Sequence, residues 1–254
     1  MRSKVKWYKL VILILISGAH FSCGLKEYYY LDQVPESYIT RTNNTLARIR
    51  VPQLDSYYAS GYSIFYKIYI SDFSTDSDIQ TSTDRNSVSP TLANDFSSLD
   101  RIADPTNTTV PSVNTFSALY YYELELASAD ISRILGNDSG LAKNGGSFNI
   151  DFSGSRDSPF MLIEGGADYS LYRSNGRGAF SPEPDRSFRG SPELKDYTKA
   201  TSLINADVSG RSSASAFAYV SMYITAVGVN PENFTRIYSK PTHISIFRLP
   251  DVTN

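Results

Sequence analysis

Residues 61–70, GYSIFYKIYI, alternate with a period of two, and both sides of the strand they imply are apolar. Tyr62, Ile64, Tyr66 and Ile68 fall on one side, while Phe65 and Tyr69 share the other with Ser63 and Lys67. A half-exposed strand shows water a polar side, so this one requires cover on both faces and belongs inside a β-sandwich. Residues 217–227, FAYVSMYITAV, are its counterpart near the end of the chain, with Val220, Met222, Ile224 and Ala226 on one side.

Shorter strand signals surround these two. ARIRV (47–51) is stopped by Pro52, and LYYYELEL (119–126) alternates Tyr122, Leu124 and Leu126 against Tyr121, Glu123 and Glu125. SFNIDFS (147–153) carries Phe148, Ile150 and Phe152 on one side, and PFMLIE and DYSLYR flank Gly165-Gly166 as a hairpin. After a turn at Asn230-Pro231-Glu232, residues 237–241 and the strand Ile244–Phe247 close the pattern. With 41% hydrophobic residues and 19 tyrosines among 254 residues, there is enough apolar surface for a core, and the expected class is all-β.

Two stretches break the pattern. Of residues 71–100, 20 are Ser, Thr, Asp or Asn, the composition of a long surface loop. Its end is different: Ser89 as N-cap, Pro90 at the first helical position, and Leu92, Phe96, Leu99 and Ile102 at helical spacing predict a short amphipathic helix. Residues 174–212 again read as loop, with Pro182, Pro184 and Pro192, although SPELKDYTKATSLI (191–204) is compatible with a helical turn or two.

The first nine residues, MRSKVKWYK, hold four basic side chains and no acid, and the uncharged run Leu10–Ala19 follows, as in a secretory signal. Ten residues rise about 15 Å as a helix, against roughly 30 Å of bilayer hydrocarbon. Just beyond stands Cys23, the only cysteine, in the context Phe21-Ser22-Cys23-Gly24. This context resembles the lipobox of bacterial lipoproteins. The resemblance implies cleavage before Cys23, diacylglycerol on its sulfur, and acyl chains such as palmitate holding the protein to a lipid bilayer. The competing reading is ordinary cleavage after Ser17-Gly18-Ala19, which leaves Cys23 a free thiol. Tyr28, Tyr29 and Tyr30 then lie either at the lipid interface or in a packed lead-in.

Removal of residues 1–22 leaves 20 basic against 26 acidic side chains, a net charge of about −6, which argues against a nucleic-acid partner. It also removes Trp7 and His20, so the mature chain has no tryptophan and a single histidine, His243. One histidine and one cysteine do not make a transition-metal site, so no metal and no cofactor are expected. The acidic run Asp72, Asp76, Asp78 and Asp84 lacks the spacing of a calcium loop and reads as solvated. His243 lies among Ile244 and Ile246 as a packed or edge histidine, and no G-x-S-x-G elbow accompanies it. Glu123, Glu125, Glu164 and Asp168 are enough carboxylates for hydrolase chemistry if the fold brings them together. Gly165-Gly166 and Gly176-Arg177-Gly178 fit neither phosphate-binding pattern and read as turns. Arg173, Arg177, Arg186 and Arg189, beside Phe180 and Phe188, form a possible interaction loop for an anionic ligand or a protein partner.

Gly61–Lys67 resembles the third strand of a fibronectin type III domain, with its apolar-x-apolar-x-Tyr pattern. Met222–Val227, followed by an Asn/Pro loop and Tyr238-Ser239-Lys240-Pro241-Thr242, resembles that family's sixth strand, loop and last strand. The resemblance covers about 90 residues and implies a fibronectin type III/immunoglobulin-like β-sandwich with a large insertion containing extra strands and a short helix. The tail and the tyrosine-rich lead-in also look similar to spirochaete lipoproteins of the treponemal type. The expected organisation is a signal peptide over 1–22, a tether and lead-in over 23–45, and one elaborated sandwich over 46–254 with its insertion at about 72–215. The expected function is a membrane-anchored, non-catalytic interaction module on the cell envelope, in the outer membrane or on its periplasmic face, engaging a protein partner or host ligand. A periplasm-facing assembly component is the alternative, and a carboxylate-based hydrolase stands third.

Overall fold

The computed structural model describes residues 29–104, 106, 111–126, 135–136, 140–153, 160–164, 166, 168–173, 178–180, 207–209 and 217–249. The chain opens with β1 (Ile39–Arg41) and β2 (Leu46–Val51), then runs as one long strand, β3 (Ala59–Ser71), into helices α1 (Ser82–Val88), α2 (Pro90–Ala103) and α3 (Val113–Ala118). Next come β4 (Tyr122–Glu123), β5 (Glu125–Leu126), α4 (Gly140–Asn144), β6 (Gly146–Asp151), β7 (Phe160–Ile163), β8 (Asp168–Arg173) and β9 (Gly178–Ala179). The last strands are β10 (Val208–Ser209), β11 (Phe217–Val229), β12 (Arg236–Tyr238) and β13 (Thr242–Arg248).

Two mostly antiparallel sheets result. One has the order β1-β2-β6-β7-β8-β5, with β9 pairing the end of β8 opposite β5. In the other, β3 and β11 pair antiparallel along their whole length, Phe217 opposite Ser71 and Gly228 opposite Ala59. At 13 residues each they span about 43 Å. β12 and β13 sit end to end along the other side of β11, and β4 and β10 flank β3. Gly61 permits a close approach within this sheet. It holds φ +145°, and a Cβ there would lie 2.2 Å from the Leu135 carbonyl oxygen.

The period-two reading of β3 is borne out on both faces. Tyr62, Ile64, Tyr66 and Ile68 join Val220, Met222 and Ile224 in a core shared with Ile49, Phe148, Ile150 and Met161 of the first sheet. The opposite face is covered differently from the expectation. Helices rather than a sheet pack there: Phe65 and Tyr223 meet Leu99 of α2 and Phe116 of α3, and Tyr69 and Tyr219 meet Val88 of α1 and Leu92 of α2. An apolar strand face demands cover without specifying its type, and the segment that follows β3 supplies the helices. The molecule therefore has three layers, sheet on sheet with helices outside the second, and remains predominantly β.

Local signals explain where the helices begin. α2 starts at Pro90, with the Ser89 Oγ accepting from the Thr91 N–H at 3.2 Å, as the sequence predicts. α1 lies inside the stretch expected to be loop. Its start is a capping box, in which the Asp84 N–H donates to Thr81 Oγ1 at 3.1 Å and the Thr81 N–H donates to Asp84 Oδ2 at 3.3 Å. LYYYELEL is not one strand either. The chain turns at Tyr120, which holds φ 58°, pairs with β3 through β4, and crosses at the buried Leu124 to pair with β8 through β5. The alternation of the sequence runs unbroken across the crossing, although the two halves lie in different sheets.

Candidate functional site

The sequence's candidate residues and the buried polar groups are best followed upward from β3. Lys67 projects from its helix-covered face and is 4% exposed. Its ammonium donates to Asp95 Oδ2 of α2 at 2.5 Å and to the Leu119 carbonyl at 2.8 Å. The same carboxylate oxygen accepts from the Tyr69 hydroxyl at 2.8 Å. The Tyr121 hydroxyl then bridges the Tyr69 hydroxyl at 3.0 Å and Ser221 Oγ at 3.1 Å. Burial pushes the phenols of Tyr69 and Tyr121 well above the usual tyrosine range, so both remain protonated hydroxyls. This chain of bonds ties the second sheet to α2 and to the turn before β4.

A second charged group crosses the two sheets. Arg173, the last residue of β8, donates from Nε to Asp207 Oδ2 at 2.8 Å and from Nη2 to Asp207 Oδ1 at 2.5 Å. The Tyr66 hydroxyl of β3 donates to the same Oδ2 at 2.8 Å, and the Ile68 N–H donates to the Asp207 carbonyl at 2.9 Å. Asp207 is fully buried and Arg173 is 5% exposed, so the pair satisfies the conditions under which a buried ion pair is tolerated: bidentate geometry and further donors on the carboxylate. Arg173 was expected in an exposed interaction loop; it is instead a buried clamp that fixes the chain on either side of residues 174–206. Its partner lies 34 positions away, beyond the reach of local sequence reading. Arg177, Arg186 and Arg189 lie outside the described residues, as do Phe21, Ser22, Cys23, Gly24 and Tyr28, and the helical turns expected over 191–204.

His243, at the start of β13, is held from β1. Arg41 donates from Nε to the Ile244 carbonyl at 2.8 Å and from Nη2 to the His243 carbonyl at 2.7 Å, and Nη2 stands 3.3 Å from Nδ1. Phe96 and Tyr223 pack on the imidazole with ring centroids 4.9 and 5.0 Å away. Burial, followed by the charges of Arg41 and Arg85, drives the imidazole well below the usual histidine pKa and keeps it neutral. This is the packed histidine that its apolar neighbours predict.

Of the carboxylates raised as hydrolase candidates, Glu123 lies on the second sheet and Glu164 and Asp168 on the β7–β8 hairpin of the first, while the Glu125 side chain lies outside what the structure describes. Glu123 accepts from Ser63 at 2.5 Å and pairs with Arg236 at 3.0 Å on the second sheet. Glu164 pairs with Arg48 at 2.5 Å on the first sheet, and Asp168 is an exposed residue at the start of β8. Of the acidic run, Asp84 caps α1, Asp76 pairs with Arg248, and Asp72 is exposed. Among the described residues there is no group of three or more His, Cys, Asp or Glu arranged to hold a metal ion, and no helix long and apolar enough to cross a membrane.

Sequence reasoning did not single out Lys67, Asp95 and Asp207. A lysine between Tyr66 and Ile68 in a strand buried on both faces is the one signal that points to such a network, because a buried ammonium requires acceptors. The described charged groups join elements: sheet to helix through Lys67 and Asp95, sheet to sheet through Arg173 and Asp207. Comparison with protein families, with curated proteins and with solved structures finds no match to the chain.

Proposed function

We propose that this chain is an exported lipoprotein, anchored through Cys23 and serving as a non-catalytic interaction module on the cell envelope. One observation carries the reading: a basic, then uncharged, leader runs into the small-residue context of Cys23, and Tyr29, six positions later, already packs on Tyr58. Leu31 and Val34 are already part of the main core. A rigid body joined so closely to an acylated residue is held at the bilayer, with its connecting loops as the surfaces open to a partner.

A fibronectin type III-like sandwich is the finer fold we infer. Its support is the strand pairing: β1-β2-β6 on one side and β3-β11 followed by β12 and β13 on the other. Sandwiches of the immunoglobulin type pair their first, second and fifth strands in one sheet and their third, sixth and seventh in the other. In that scheme β3 is the third strand, β6 the fifth and β11 the sixth, and the other segments between β3 and β11 are the elaboration. The spirochaete kinship inferred from the tail and the tyrosine-rich lead-in gives the reading an address and no ligand.

Limited proteolysis of intact cells tests the interaction role. Clipping of the acylated chain on unbroken cells is the expected result, with a host ligand or an external partner as its counterpart. Protection until the outer membrane is opened transfers the protein to periplasmic assembly.

A further inference from the structure

Three separate segments meet at one end of the long β3–β11 pair, and each exposes an aromatic side chain. Tyr30, Tyr57 and Phe234 are 63%, 80% and 81% exposed, and Val229, the last residue of β11, is also exposed. Tyr58 ties together the segments of Tyr30, Tyr57 and Val229. Its hydroxyl donates to the Tyr30 carbonyl, its carbonyl accepts from the Val229 N–H at 2.9 Å, and its ring makes edge contacts at 5.3 Å with both Tyr29 and Tyr57. Phe234 sits in the turn between β11 and β12 at φ 58°, a left-handed conformation that costs a non-glycine residue energy. The turn fixes it there: the Phe234 N–H donates to the Asn230 carbonyl at 2.8 Å, and the Asn230 N–H to the Thr235 carbonyl at 2.9 Å. Strained backbone thus presents a phenyl ring to the outside, at the same end of the β3–β11 pair as the tyrosines.

We propose that this aromatic end is a membrane-contact surface, whose occupant is the headgroup region of the bilayer that carries the acyl chains of Cys23. The proposal rests on the lipid-anchor reading above. Chain length selects the bilayer over a second copy or a protein. Five residues, six Cα–Cα steps, separate Cys23 from Tyr29 and span at most about 21 Å when fully extended, while the opposite end of β3 is about 43 Å away. The anchor therefore keeps this end within about 21 Å of the membrane, a limit that does not apply to the other end. Aromatic side chains are the ones favoured at headgroup depth, where a ring is buried and a hydroxyl stays wet. Asp32, Asp55 and Glu232 are exposed at the same end, so the surface suits zwitterionic rather than anionic headgroups.

The mature chain has no tryptophan, so Tyr57→Trp and Phe234→Trp each introduce a single reporter, with Phe73→Trp at the far end of β3 as control. The lipidated protein is incorporated into phosphatidylcholine vesicles with and without brominated acyl chains, and the mass of its N-terminal peptide is measured in the same preparation. Emission from Tyr57→Trp and Phe234→Trp is expected to fall about twofold on brominated vesicles, with no change for Phe73→Trp. If the protein is acylated and vesicle-bound but the two reporters stay as bright as the control, the contact surface is overturned and the anchor stands. Absence of acyl chains on Cys23 overturns the anchor, and the contact surface with it.

Discussion

Arg173 and Asp207 show what one residue does when its charge is removed from water. Replacing Arg173 with Met strands a fully buried carboxylate, so R173M is expected to lose about 3–5 kcal/mol in urea unfolding, whereas the double replacement with Asp207→Leu recovers most of that loss. Equal loss in both variants would mean that the stabilisation comes from packing rather than from the charge pair. His243 gives a pH signature instead. It is neutral in the folded protein, but the unfolded chain takes up a proton as pH falls below about 6.5. Stability therefore declines below that pH by about 1.4 kcal/mol per unit until the depressed native pKa is reached. Unfolding curves at pH 7.5, 6.5 and 5.5 should show this extra slope in the native protein and not in His243→Gln. The burial of His243 was legible, because Ile244 and Ile246 flank it. The roles of Arg173 and Lys67 were not, because their carboxylate partners come from distant segments, and charge alone does not distinguish a solvated arginine from a clamp.

Among elements, signals contained within a few residues were the readable ones. Ser89-Pro90 announces α2, and the Ser89 hydroxyl accepts the Thr91 N–H at its start. Ser89→Ala is accordingly expected to cost about 1 kcal/mol, read as a lower urea midpoint with an unchanged slope. The capping box of α1 was equally local, but the serine and aspartate content around it pointed to loop, and the burial of Val88 against Tyr69 and Tyr219 becomes evident only in three dimensions. The two apolar faces of β3 were legible for the same local reason. What covers them was not: the first face meets β2, β6 and β7, the second meets α1, α2 and α3, and both kinds of cover satisfy the same alternation. The break in LYYYELEL at Leu124 belongs to this class, since a strand pattern cannot show that its halves pair with different sheets.

For the molecule as a whole, the long β3–β11 pair separates two ends. One gathers Tyr29, Tyr30, Tyr57 and Phe234 near the point where the chain arrives from Cys23; the other carries the connection from β3 toward α1, around Phe73 and Thr75. Both polar networks lie between these ends, binding sheet to sheet and sheet to helix. In the proposed arrangement this rigid spacer sets one end at a membrane and leaves the other open to a partner, and that arrangement depends on the chemistry at Cys23. The most direct test is intact-mass and fragment analysis of the protein extracted from its native membrane. The account predicts a chain that begins at Cys23, lacks residues 1–22, and carries diacylglycerol and acyl mass on that residue. A chain that begins after Ala19, with Cys23 as an unmodified thiol, would contradict it.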